Sequence, residues 1–142
     1  LAACELGKRR QMEKPEERPD LGTATLIYNH MHPLMQDFDV EEFWLLLMNQ
    51  NYRLKLKTRI AHGGISEVSV DVRIIIREAV LANATIIAVC HNHPSGSLRP
   101  SQADNDLTAA IAKACGVMRI KFLDHVIVTD GAYYSYHEQG RI

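Results

Sequence analysis

The chain has 142 residues, a formal net charge of -1, a pI of about 6.7 and 46% hydrophobic residues, enough for one domain with a real core. That balance excludes a strongly basic nucleic-acid surface over the whole fragment. No apolar run approaches the ~20 residues of a membrane helix, and no signal peptide is visible. Cys4, Cys90 and Cys115 are widely spaced and form no C-x-x-C pair or disulfide framework. Reduced thiols in a cytoplasmic protein are the expectation.

In chain order, residues 1–20 are charged and carry Pro15 and Pro19. Leu1 to Gly7 reads as the tail of a helix, and Lys8 to Asp20 as a linker. The chain opens on Leu rather than Met and reads as a piece of something longer. From Thr23 to Met35, Ala24, Ile27, Met31, Leu34 and Met35 recur at helical spacing. Phe43 to Met48 is a continuous apolar run and predicts a buried strand. Asn49-Gln50-Asn51 is a turn. Arg53 to Ile60 alternates and predicts a half-exposed strand hairpinned to the previous one. Gly63-Gly64 breaks the pattern.

Asp71 to Leu81 predicts a helix with Val72, Ile75, Ile76, Ala79 and Val80 on one face. Residues 85–90 are the next buried strand. A helix from Ser101 to about Cys115 follows, with Gly116 as its stop. Two strands, Ile120–Thr129 and Ala132–Tyr136, flank the turn Asp130-Gly131. The order is α-β-β-α-β-α-β-β. It predicts a mixed α/β or α+β domain with a central sheet and no internal repeats.

Chemistry concentrates at residues 91–104. His91 and His93 follow the apolar strand two residues apart, so both imidazoles share one side if the strand runs through His93. Asp104 comes after a Pro/Gly/Ser turn, on the first turn of the next helix. Two imidazoles and a carboxylate make a set suited to zinc, with a fourth position left for water. Each piece has a plain alternative. Surface histidines are common, and Ser101-x-x-Asp104 is also a good capping box. His30-Met-His32-Pro33 repeats the H-x-H-P tetrapeptide, but inside a helical pattern where i and i+2 diverge. Counting on from Pro33 reaches Val40 and Phe43, not Ser and Asp, so His30 and His32 read as non-ligands. Cys90 alternates to the other side and reads as core. Arg53, Lys55, Lys57 and Arg59 read as one solvated strand face, with a phosphate-binding stripe as the alternative.

His91-x-His93-Pro94 followed by Ser101-x-x-Asp104 matches the JAMM motif of the JAB/MPN metalloprotease superfamily. With His-Asn-His-Pro-Ser-Gly at 91–96, Pro100-Ser101 and Asp124-His125-Val-Ile127, the chain resembles the bacterial RadC family, historically labelled DNA repair proteins. The similarity covers about residues 22–142. Leu1 to Arg10 resembles the end of the helix-hairpin-helix region that precedes this domain in that family. The resemblance implies two parts. Residues 1–20 end a helical region with its linker, and residues 21–142 form a JAMM/MPN-like metal-binding domain of MPN/cytidine-deaminase-like architecture.

The resemblance also implies one zinc ion (Zn2+) per chain, held by His91, His93 and Asp104, with a bound water. Ser101 would polarise the oxyanion. An upstream glutamate would take the water's proton, and Glu41 fits the family spacing. Glu42 competes, although alternation lets only one of the two face the metal. Glu67 is a weaker candidate. Asp124 and His125 read as a structural polar pair or as a second hydrogen-bonding layer to a ligand. The implied activity is hydrolysis of a peptide or isopeptide bond in a peptide or protein substrate. Its rivals are a DNA repair accessory, binding DNA mainly through a region outside this chain, and metal-dependent cleavage of nucleic acid. No membrane partner is expected, and the oligomeric state stays open.

Overall fold

Two interleaved apolar sets run through the central strands and fix the layers. Phe43, Leu45, Leu47, Ile87 and Val89 point to one side of the sheet. Leu46, Met48, Ile86, Ala88 and Cys90 point to the other. Each side needs a cover, because a strand alternates its side chains between faces.

The computed structural model describes residues 10–12, 18–37, 39–63 and 69–142. Its elements are β1 (Arg10–Met12), α1 (Ala24–Met35), β2 (Glu42–Met48), β3 (Leu54–His62), α2 (Val72–Leu81), β4 (Ile86–Asn92), α3 (Gln102–Met118), β5 (Lys121–Thr129) and β6 (Ala132–Ser135). The six strands form one sheet in the order β1-β3-β2-β4-β5-β6. Among the described residues, only β4 and β5 pair in parallel; the other neighbours are antiparallel. A parallel pair needs a long crossover, and α3 supplies it.

Ile75 and Ala79 of α2, with Leu107, Ile111 and Cys115 of α3, cover the first side. Ala24, Ile27, Met31 and Met35 of α1 cover the second. The result is a mixed α+β fold of three layers, as the residue pattern predicts. Among the described residues, no helix is long and apolar enough to cross a membrane.

The helix starts follow their capping chemistry. The Thr23 hydroxyl accepts from Leu26 N at 3.2 Å, and Asp71 Oδ1 accepts from Arg73 N at 2.9 Å. At α3, Ser101 Oγ accepts from Asp104 N while Asp104 Oδ2 accepts from Ser101 N, a reciprocal box.

Four expectations need correction or narrowing. Gly116 does not stop α3, which continues to Met118 and ends on Arg119 in the left-handed region (φ 56°). The stretch read as a linker contains β1, paired with Leu56 to Thr58 of β3; residues 1–9 and 13–17 lie outside the described residues. With β1 on one side and β2 on the other, β3 is an interior strand. Its basic residues do not form one solvated face, because the β2–β3 register shift at Leu47/Met48, opposite Lys55, breaks the alternation. Lys55 Nζ donates to the Ala82 carbonyl at the end of α2. Lys57 instead meets His30 of α1, and Arg59 meets Glu42.

Candidate metal centre

The site is built where β4 leaves the sheet. His91 follows Val89 on the side covered by α2 and α3, and it is fully buried. The ladder continues one step beyond the strand, with His93 N donating to Val128 O at 3.0 Å. That bond keeps the backbone extended through His93, so the two rings stay on one side. The chain then turns. Gly96 adopts φ 82°, and its N–H donates to the His93 carbonyl. The turn brings Ser97 O to 2.8 Å from His93 Nδ1 and delivers the start of α3 over the strand end.

Three donor atoms converge there. His91 Nε2 and His93 Nε2 are 3.0 Å apart. Asp104 Oδ1 is 3.3 Å from His91 Nε2, and Oδ2 is 3.4 Å from His93 Nε2. Ligands held tetrahedrally at ~2.0–2.1 Å from one ion are about 3.3–3.4 Å from each other. The two nitrogen–oxygen distances, each to a different oxygen of Asp104, match that spacing, and the two nitrogens stand a little closer. His91, His93 and Asp104 can hold a metal ion.

The electrostatics agree. Burial raises the pKa of Asp104, but hydrogen bonds from His91 and His93 outweigh it and hold the carboxyl well below the ordinary range. Burial opposes the charge on His93, yet the Asp104 hydrogen bond, the Ser97 carbonyl and the charges of Asp104 and Glu41 raise its pKa. The site favours positive charge. Glu41 is half-buried and close enough to His93 to act on its charge. It shares the parity of Phe43, whose ring lies over His91 with centroids 6.1 Å apart.

Glu42 is not brought to this cluster. Its carboxylate accepts from Trp44 Nε1 and from Arg59 Nη1, each at 3.0 Å, on the opposite side of β2. Ser101 Oγ accepts the Asp104 N–H, which leaves its own proton unspent. A polar cleft of about 590 Å3, lined in part by Ser97, Arg99, Ser101 and Arg141, opens beside it. Glu67 lies outside the described residues.

Asp124 and His125 part company. Burial raises the Asp124 pKa against the bonds it receives, from Ser135 Oγ at 2.5 Å and His137 N at 3.0 Å. It organises the chain after β6 and does not reach the cluster. His125 is fully buried on the ligand side, with Nε2 at 2.8 Å from His91 Nδ1 and Nδ1 at 2.6 Å from Thr108 Oγ1. Burial pushes its pKa well below the ordinary histidine value. Tyr136 stacks on its ring at 4.9 Å, and Phe43 meets it edge-on at 5.7 Å.

Two residues escaped the sequence reading. One is Thr108. The other is Asn92, whose side chain accepts from Glu42 N at 2.7 Å and donates to Val40 O at 3.0 Å. That clamp holds the peptide around Glu41 against the end of β4. A signal for Asn92 exists in the sequence: a buried strand amide must find partners.

The RadC-like JAB domain family matches residues 21–141. A "UPF0758 protein" of Flavobacterium johnsoniae is 36% identical over 140 residues, covering 99% of this chain and 61% of the relative. Another, from Porphyromonas gingivalis, is 37% identical over 141 residues, covering 99% and 62%. One from Haemophilus ducreyi is 35% identical over 138 residues, covering 97% and 62%. The chain thus spans a little over three-fifths of the curated relatives it matches.

Proposed function

The chain belongs to the RadC-like JAB domain family, and from that premise we propose that it is a zinc-dependent hydrolase that cleaves a peptide or isopeptide bond with an activated water. The observation that carries the reading is the convergence of His91 Nε2, His93 Nε2 and the Asp104 carboxylate at mutual distances of 3.0–3.4 Å. Two imidazoles and a carboxylate suit zinc, with histidine and carboxylate also open to other divalent metals. When bound, such an ion lowers the pKa of its water toward about 7 and polarises a carbonyl oxygen.

The protein's own groups supply the rest. Glu41 accepts a proton from the attacking water and returns it to the leaving amine. Asn92 holds the Glu41 peptide in place for that transfer. Ser101 donates its unspent hydroxyl proton to the carbonyl oxygen as negative charge develops on it. The same reading places the protein in the cytoplasm, supported by the buried free thiols Cys90 and Cys115.

The test is zinc reconstitution followed by incubation with a mixed peptide library and an isopeptide-linked substrate, with cleavage read by mass spectrometry. Wild type is expected to bind one zinc and cut. Glu41→Gln is expected to keep the zinc and lose cleavage. A wild-type protein that takes up no zinc would overturn the reading.

A further inference from the structure

We propose that Thr108 and His125 form a hydrogen-bond relay that sets which nitrogen of His91 carries its proton and so leaves Nε2 bare at the metal position, a positioning role that rests on the metal reading above. The argument follows the protons along the chain of contacts. The Asp104 main-chain carbonyl can only accept, so the Thr108 hydroxyl, 2.7 Å away, donates to it. That uses the single proton Thr108 owns. Thr108 Oγ1 therefore meets His125 Nδ1, at 2.6 Å, as an acceptor, and the proton between them belongs to Nδ1.

A neutral imidazole carries one N–H, and the fully buried His125 ring touches Thr108, His91, Phe43 and Tyr136, none of them a carboxylate that would hold a second proton. Its Nε2 is then bare. The 2.8 Å contact between that atom and His91 Nδ1 needs a proton, which only His91 can supply. His91 Nε2 is bare in its turn and presents a lone pair to the cluster. His93 donates from Nδ1 to the Ser97 carbonyl at 2.8 Å, which leaves Nε2 as the atom it turns to the cluster. The bare Nε2 of His91 and the Asp104 carboxylate then face each other, an arrangement that a cation stabilises.

The relay begins on the backbone of one candidate ligand, Asp104, and ends on the ring of another, His91. Phe43 and Tyr136 flank the fully buried His125 ring, and the Tyr136 hydroxyl spends its proton on Asn105 Oδ1 at 2.8 Å rather than on the relay. The reversed tautomer would place an N–H of His91 against Asp104 and close the position to a cation.

The test combines long-range proton–nitrogen NMR of the histidine rings at pH 8, with and without zinc, and zinc titration against a chromophoric chelator. His125 is expected as the Nδ1–H tautomer in both states of the wild type. Thr108→Val should weaken zinc binding by about ten- to a hundredfold, whereas Thr108→Ser, which keeps the hydroxyl, should restore it. An Nε2–H tautomer of His125 in the wild type would overturn the relay. So would a Thr108→Val protein that binds zinc within twofold of wild type. If the wild type takes no zinc, the hydrolase reading fails, and the metal-free spectrum alone still decides the relay. That spectrum needs no variant, so a misfolded Thr108→Val protein does not shield the proposal.

Discussion

The chain writes the H-x-H-P pattern twice, and the two copies do opposite things. His30-Met31-His32-Pro33 lies in α1, and His91-Asn92-His93-Pro94 lies at the end of β4. In the helix the two rings diverge: His30 Nε2 meets Lys57 Nζ at 3.2 Å, and His32 Nε2 meets Asp130 at 2.8 Å. At the strand end the two Nε2 atoms approach to 3.0 Å. Backbone period alone makes the difference, since residues two apart share a face in a strand and not in a helix. A metal motif is therefore a statement about a sequence in a given secondary structure.

The sharpest way to break that contrast is to delete rings. His91→Ala or Asp104→Ala should abolish stoichiometric zinc in elemental analysis, a larger loss than the about 10–100-fold expected for an outer hydrogen bond. His30→Ala and His32→Ala should leave the stoichiometry unchanged. Equal losses from both copies would end the comparison.

The middle residues extend it. Met31 is fully buried in the core beneath α1. Met31→Ala should cost about 2–5 kcal/mol in denaturant unfolding with zinc affinity intact. Asn92→Ala should instead lower kcat by about ten- to a hundredfold with zinc retained, because the Glu41 peptide loses its clamp. A fall in zinc affinity alone would show that Asn92 serves the ligands rather than the base.

A smaller effect separates Asp124 from its neighbour His125. Burial is the largest influence on Asp124 and raises its folded pKa above the unfolded value. The folded state then holds this proton more tightly, so the contribution is fully present below the unfolded value near 4 and is lost as pH rises through the folded one. Asp124→Asn should flatten that part of the stability–pH curve measured by denaturant midpoints. An unchanged slope would remove Asp124 from the account. The smallest effect is His32→Ala, which breaks a 2.8 Å side-chain hydrogen bond to a well-exposed Asp130 and should shift stability by no more than about 0.5 kcal/mol.

The sequence exposes His91, His93 and Asp104 because their placement obeys local rules, a period of two and a capping box. The strands and helices of the core are legible for the same reason. What it hides is set by distance along the chain or by irregular pairing. Thr108 and His125 meet across a crossover, and no spacing announces such a contact. The bulge that sends Lys55 and Lys57 to opposite sides leaves no mark in an alternating string. β1 is three residues whose pairing depends wholly on β3 being there to receive it. Parity alone distinguishes Glu41 from Glu42; the bonds of Glu42 to Trp44 and Arg59 then account for the second acid.

The parallel β4–α3–β5 unit carries every candidate ligand and the Thr108–His125 relay, while Glu41 arrives from β2, far away in sequence. Loop closure costs less for near neighbours than for distant ones. During folding, the ligand set has the shorter loops to close and the acid the longer. Under the proposed function, zinc uptake and catalytic competence would then be separate milestones of assembly. Bound zinc would report that the crossover has formed, and turnover that the opposite edge of the site has docked.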